Sequence, residues 1–340
     1  AKNPDLRAEA CSLPMVVPGL TNGIFQAAEL FINPDDQVII PDLAWDNYEL
    51  VIGVRRQAVI RSFPFFTTDG KLNIAGLESL VNEICQHEGH RKLVLLLNFP
   101  NNPTGYSPSR AETTTICELL RRQAERGTDI LVICDDAYFG LCFEPETYNQ
   151  SLFTPLSGCH ERLLAIKVDG STKEDYVWGF RLGFMTFGGK GLLASHYAAL
   201  QSKLTGSIRA SVSSSSSMAQ NNIQKAYSAK DYQAEKGAAF HKLEARYRKV
   251  RSIIDSYVAD GANPAGRRPL EPLPFNSGYF MAFRCQGFSA NDLRLALLAQ
   301  GIGTIALQDR YLRVAYSAVD LESLDQLFAA IFDAARRMGS

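Results

Sequence analysis

The sequence predicts an α/β fold with a mostly parallel central sheet, helices on both faces, and a smaller C-terminal α+β domain. Three observations predict it. Short β-branched or aliphatic runs, bounded by Gly, Pro, Asp or Asn, alternate with longer segments of helical period. That alternation is the mark of a parallel sheet covered by helices. At 340 residues the chain is too long for one small domain, and its pattern changes after about Leu204.

The strand candidates are 37–41, 57–63, 93–98, 130–135, 163–168 and 182–187. Helices are expected between them. Ile74, Leu77, Val81 and Ile84 mark one helical face. Residues 108–126 form another candidate, with Ser107 placed to cap it and Pro108 at its first position. A serine run at 211–217 follows Arg209 and has the composition of a flexible linker. A long polar helix is expected over 232–258, then a loop rich in Gly, Pro and Arg at 262–274. Strands near 278–283 and 311–316 follow. An amphipathic helix through Leu321, Leu324, Phe328, Ile331 and Phe332 closes the chain. The domain boundary is placed near residue 236, dividing the chain into 1–235 and 236–340. No internal repeat is visible.

Hydrophobic content of 46% and charged content of 21% are those of a soluble globular protein. A net charge of −1 gives no field that favours nucleic acid or an anionic membrane. No apolar run approaches the roughly 20 residues of a membrane span. The seven cysteines are odd in number, scattered and without a C-x-x-C, which fits a reduced, cytoplasmic protein. His87 and His90 lack further ligands at usable spacing and read as a solvated helix end, so no metal site is expected. The chain opens Ala1-Lys2-Asn3-Pro4, without Met or a signal-peptide pattern.

Four strings carry chemistry. Lys173 lies in Gly-Ser-Thr-Lys, and Arg181 follows eight positions later in Gly-Phe-Arg-Leu-Gly. Upstream are Asn-Asn-Pro-Thr-Gly at 101–105 and Asp-Asp-Ala-Tyr at 135–138. Together they supply an amine, an acid, a phenol, an amide and a guanidinium. A pyridoxal phosphate enzyme needs that set: a Schiff-base lysine, an acid at the pyridine nitrogen, donors to the ring oxygen and a phosphate clamp. An imine requires an unprotonated amine, so burial or nearby positive charge must lower the pKa of Lys173. Taken alone, Lys173 would be a surface lysine. Arg181 changes that, because its planar fork matches a phosphate. Asp135 ends an apolar strand, where ligands bind in open α/β sheets. Gly19-Leu20-Thr21-Asn22-Gly23 leads into a helix whose free N–H groups suit an anion. Arg313, charged amid Tyr-Leu-Arg-Val-Ala-Tyr, needs a partner.

On these motifs the chain resembles the class I/II aminotransferases, fold type I pyridoxal phosphate enzymes of the aspartate aminotransferase kind, from about Val16 to its C-terminus. The resemblance implies a transaminase working by a ping-pong route between an amino acid and a 2-oxo acid, with Lys173 as the Schiff base. It selects Asp135 over Asp136 for the ring nitrogen through the pattern Asp-x-Ala-Tyr, and leaves Asp136 as a cap. It puts Tyr138 and Asn102 at the ring oxygen, and Trp45, otherwise a core residue, on the ring face. Gly19, Leu20, Thr21, Asn22, Thr172 and Arg181 would hold the phosphate. Arg313 would grip the substrate α-carboxylate, with Asn102 and Asn276 lining the pocket. Arg209, in Ile-Arg-x-x-x-Ser, would read a distal carboxylate, a phosphate contact or solvated loop being the alternatives.

Three further expectations come from the resemblance. The 211–217 run becomes an ordered loop, the working unit a homodimer, and residues before Ala1 are expected. Gly170 stands where many members have Ser. Another fold type I reaction, such as a C–S lyase or a cyclopropane-forming synthase, is the alternative chemistry. A ligand-sensing regulator would need a DNA-binding region, and neither the charge nor the motifs supply one.

Overall fold

The computed structural model describes residues 2–86, 92–260 and 268–339. His87 and His90, and positions 262–267 of the expected loop, lie outside the described residues. The chain divides into two compact units: residues 1–100 with 107–232, and residues 101–106 with 233–340.

In the first unit the order is β1 (Met15–Val17), α1 (Leu20–Phe31), β2 (Gln37–Pro41), β3 (Val59–Phe63), α2 (Ile74–Gln86), β4 (Lys92–Asn98), α3 (Arg110–Glu125) and β5 (Asp129–Asp135). There follow α4 (Phe153–Leu156), β6 (Leu163–Asp169), α5 (Ser171–Glu174), β7 (Gly183–Gly188), α6 (Ala194–Ser211) and α7 (Ser217–Ser228). The strands form one seven-stranded sheet in the order β1-β7-β6-β5-β4-β2-β3. The ladders from β3 through β6 are parallel, whereas β7 and β1 add antiparallel rungs at one edge.

Side-chain alternation along these strands builds the core. Val94, Leu96, Leu131, Ile133, Ile166 and Val168 pack in one cluster with Ile24, Ala27 and Ala28 of α1 and with Leu204 and Ile208 of α6. Their neighbours Leu93, Leu95, Leu97 and Val132 point to the other face and are equally buried. There α2 lies against β4 and α3 against β5. Helices therefore cover both faces, as the alternation of elements predicts.

The second unit begins in α8 (Tyr232–Ala259) and continues with β8 (Leu270–Pro272), β9 (Met281–Cys285), α9 (Ala290–Leu298), β10 (Ile305–Leu307), β11 (Tyr311–Val314) and α10 (Leu324–Met338). Its four strands form an antiparallel sheet in the order β10-β11-β9-β8. Phe283 of β9 packs edge-on against Phe328 and Phe332 of α10.

Several expected boundaries move, each for a local reason. Gln57 sits at φ +56°, outside the β region, so β3 starts at Val59. The cap of α3 is Ser109 rather than Ser107. Its hydroxyl accepts from Glu112 N, and its own N–H donates to the Glu112 carboxylate at 2.7 Å, a reciprocal capping box. The serine run is no linker. Ser211 ends α6, and the Ser216 hydroxyl accepts from Ala219 N to cap α7. The strand expected at 278–283 is displaced to Met281–Cys285. The one expected at 311–316 stops at Val314, ahead of a 3-10 turn at Tyr316–Ala318.

Candidate active site

Parallel strands deliver chemistry at their carboxyl ends, and β5 ends on Asp135. The Asp135 carboxylate is 3% exposed. Its Oδ1 accepts from Ala137 N at 3.0 Å, and its Oδ2 accepts from the Tyr48 hydroxyl at 2.5 Å. The side chain of Asn98, at the end of β4, donates to the Asp135 carbonyl at 2.8 Å. Burial nevertheless pushes the Asp135 carboxyl above its usual range, opposed by the Tyr48 bond, the Ala137 N–H and the charge of Lys173. A cation facing this group would relieve its desolvation.

Lys173 lies in α5, a single helical turn just beyond β6. Its ammonium is 5.4 Å from the centroid of the buried Tyr138 ring. Burial lowers its pKa; Asp135 works against that and the Arg181 charge works with it. The amine is thus biased toward the neutral, nucleophilic form.

Arg181 adopts φ +49°, the left-handed region that side chains rarely occupy. That conformation accompanies a close approach of its guanidinium to Gly19, where a Cβ would lie 2.7 Å from Nη2. Gly19, at φ +86°, precedes the first turn of α1, which has no side-chain cap. The first N–H groups of α1, at Leu20, Thr21 and Asn22, open at the helix end that Gly19 and the guanidinium approach, a corner suited to an anion. The buried Ser171 and Thr172 hydroxyls find no protein partner. A Cβ at Gly170 would fall 2.6 Å from the Leu182 carbonyl oxygen, so a serine does not fit there. These features fit a phosphate ester beside a cationic ring: an anion corner, orphaned hydroxyls, a depressed amine and a buried carboxylate.

Trp45 and Tyr48 meet edge to face at 5.6 Å, and Trp45 also packs against the core. A π-helical turn, Glu49–Val54, begins immediately after Tyr48. Sequence reasoning missed Tyr48. Its only signal was a phenol three residues after Trp45, in a string that reads as core.

In the second unit, Arg313 of β11 donates from Nη1 to the Asn102 carboxamide oxygen at 2.8 Å. Its guanidinium carbon stands 4.4 Å from the Phe280 ring centroid. The N–H groups of Asn276 and Ser277 both donate to the Gly105 carbonyl at 2.9 Å. Asn102, Asn276 and Arg313 are thereby gathered in one unit. Arg209 is in the last turn of α6 in the first unit, exposed and donating to the Ser213 hydroxyl at 3.0 Å. Among the described residues, no group of three or more His, Cys, Asp or Glu side chains could hold a metal, and no helix is long and apolar enough to cross a membrane.

Residues 2–331 match the model of the family described as aminotransferase class I and II. An aspartate aminotransferase of Musicola paradisiaca is 26% identical over 174 residues, which is 50% of this chain and 39% of that protein. An aspartate/prephenate aminotransferase of Cereibacter sphaeroides is 27% identical over 164 residues, 47% of this chain and 37% of that protein. The matched stretches thus span about two fifths of these curated relatives. The crystal structure of an aminotransferase from Anaerococcus prevotii superposes with a TM-score of 0.83 at 23% identity, covering 97% of this chain and 76% of that one. A kynurenine aminotransferase from Pyrococcus horikoshii gives 0.77 at 12% identity, covering 98% of this chain and 76% of that one. At these identities the likeness is one of fold.

Proposed function

We propose that this chain, which belongs to the aminotransferase class I and II family, moves an amino group between an amino acid and a 2-oxo acid in a ping-pong cycle with pyridoxal phosphate as cofactor. The observation that carries the reading is the pair Lys173 and Asp135. A pKa-depressed amine and a buried carboxylate stand at the carboxyl ends of adjacent strands.

When bound, pyridoxal phosphate supplies an electron-accepting ring that acidifies the Cα–H of an attached amino acid. The chain's own residues supply the rest. Arg181, the first N–H groups of α1 at Leu20, Thr21 and Asn22, and the Ser171 and Thr172 hydroxyls would hold the phosphate. Asp135, buried and held by two donors, would keep a proton on the ring nitrogen. Tyr138 and Asn102 are the groups that would donate to the ring oxygen, and Trp45 would offer its indole face to the ring. The Lys173 amine, biased toward its neutral form, is the group that would accept the proton leaving Cα and hold it as an ammonium. Arg313, held flat by Phe280 and by Asn102, presents a planar fork for the α-carboxylate, with Asn276 beside its loop.

We infer that the working unit is a homodimer in a reducing, cytoplasmic setting. All seven cysteines are free thiols.

The test is a half-reaction. Amino acids are added singly to the cofactor-loaded enzyme, and its absorbance is followed. An effective donor should change the spectrum without any 2-oxo acid present, and a 2-oxo acid should restore it. A panel that leaves the spectrum unmoved would remove the transaminase reading.

A further inference from the structure

Next to Asp135, and outside the set of residues assigned above, lies a buried ionic cluster. Lys167 of β6 is 5% exposed, set between aliphatic Ile166 and Val168 in a strand that ends on Asp169. Its ammonium pairs with Asp169 and lies 3.4 Å from the Asp136 carboxylate. The same ammonium stands 5.0 Å from the centroid of the Phe139 ring. Asp136 is itself buried, and burial raises its carboxyl to about 7 despite Lys167 and a Ser151 hydrogen bond. The Asp136 N–H donates to the Val168 carbonyl at 2.9 Å, just beyond the last paired residues of β5 and β6. A second tie follows Lys173 directly. Glu174 pairs with Lys2, whose ammonium lies 5.8 Å from the same Phe139 ring.

A buried lysine is a costly way to stabilise a sheet, because apolar residues of similar volume usually serve as well. Its cost is better explained by where it sits. Asp136 follows Asp135 directly, one residue past the end of β5. Asp169 leads on β6 into Gly170 and α5, which carries Lys173. Lys167 therefore clasps together the two strand ends that present the carboxylate and the amine.

We propose that Lys167 is a positioning residue: through Asp136 and Asp169 it fixes the spacing between Asp135 and Lys173. The assignment deepens the transaminase reading and rests on it. Lys167 touches neither group and acts through the backbone of both strand ends.

The test uses the full chain loaded with pyridoxal phosphate. Lys167→Met alone leaves two carboxylates uncompensated and risks misfolding. The informative variant is therefore Lys167→Met/Asp136→Asn, which removes the buried pair together and leaves the partly exposed Asp169 to be hydrated. Three quantities are read: thermal unfolding followed by circular dichroism, kcat and KM for a responding amino acid, and the pH midpoint of the bound chromophore. We expect unfolding close to wild type, and kcat reduced about 100-fold through misplacement on the scale of an ångström, with KM little changed. The chromophore midpoint should shift, because Asp135 and Lys173 are no longer held at one spacing. A double variant that folds, turns over and titrates like wild type would overturn the proposal and leave the transaminase reading intact. Activity lost only in proportion to lost folding, with an unmoved midpoint, would overturn it as well. A wild-type chain that binds no cofactor would sink the transaminase reading, and this proposal with it.

Discussion

The Tyr48 hydroxyl donates to Asp135 Oδ2 at 2.5 Å, joining the chain just after β2 to the end of β5 across 87 residues of sequence. Both side chains are buried. Burial, and after it the neighbouring Asp135 charge, push the Tyr48 phenol well above its ordinary pKa, so it remains a donor at any working pH. The bond lowers the Asp135 pKa against a burial cost that raises it. Tyr48→Phe should therefore raise the Asp135 pKa further, so that less carboxylate is present at neutral pH. Losing a hydrogen bond to a buried charge costs about 1–3 kcal/mol, hence about 5- to 150-fold in affinity for pyridoxal phosphate. Fluorescence titration of the apoenzyme measures it. Wild-type affinity in the variant would exclude the role.

The Lys173 amine is tuned by two opposed neighbours. Arg181 lowers its pKa and Asp135 raises it, on top of the dominant lowering by burial. Arg181→Met should raise the pKa and so reduce the neutral fraction at a given pH. Asp135→Asn should lower it and enlarge that fraction. The pH dependence of acetylation at Lys173 in the apoenzyme, read by peptide mass spectrometry, should move in opposite directions for the two variants.

Gly170→Ser would add a third hydroxyl beside those of Ser171 and Thr172, yet its Cβ would meet the Leu182 carbonyl at 2.6 Å and the Gly183 Cα at 2.9 Å. Both are backbone atoms and cannot rotate away. We expect a loss of about 1–3 kcal/mol in stability from overpacking, and no gain in cofactor affinity. Denaturant unfolding and cofactor titration of the variant check both parts.

Arg209, exposed and bonded to Ser213, is the candidate reader of a distal carboxylate. If it serves that role, Arg209→Ala should lower the ratio of kcat/KM for glutamate over alanine by about 30- to 1,000-fold, the worth of a water-shielded guanidinium–carboxylate pair. An unchanged ratio would leave the dicarboxylate preference without support.

How much of this was legible in the sequence depended on whether the signal was local. The strands β2, β4, β5 and β6 could be read because each is a near-continuous apolar run ending in a polar residue or a proline. The ends of β3 and β11 could not, because φ at Gln57 and the turn at Tyr316 are set by backbone geometry that composition does not reveal. Ser107 and Ser109 flank the same proline, and only the reciprocal bond to Glu112 picks the second as the cap. Lys173, Arg181 and Asp135 stand in strings whose order carries information. Tyr48 and Lys167 do not. Tyr48 finds its acid 87 residues away, and Lys167 finds Asp136 across a strand pair, so each becomes visible only once the sheet brings β5 beside its neighbours.

The central claim is that Lys173 carries the cofactor. Borohydride reduction of the enzyme loaded with pyridoxal phosphate, followed by proteolysis and mass spectrometry, tests it most directly. The account predicts a single modified peptide with the mass increment on Lys173, and no increment in Lys173→Ala. Modification of a different lysine in the wild-type enzyme, Lys167 included, would contradict it.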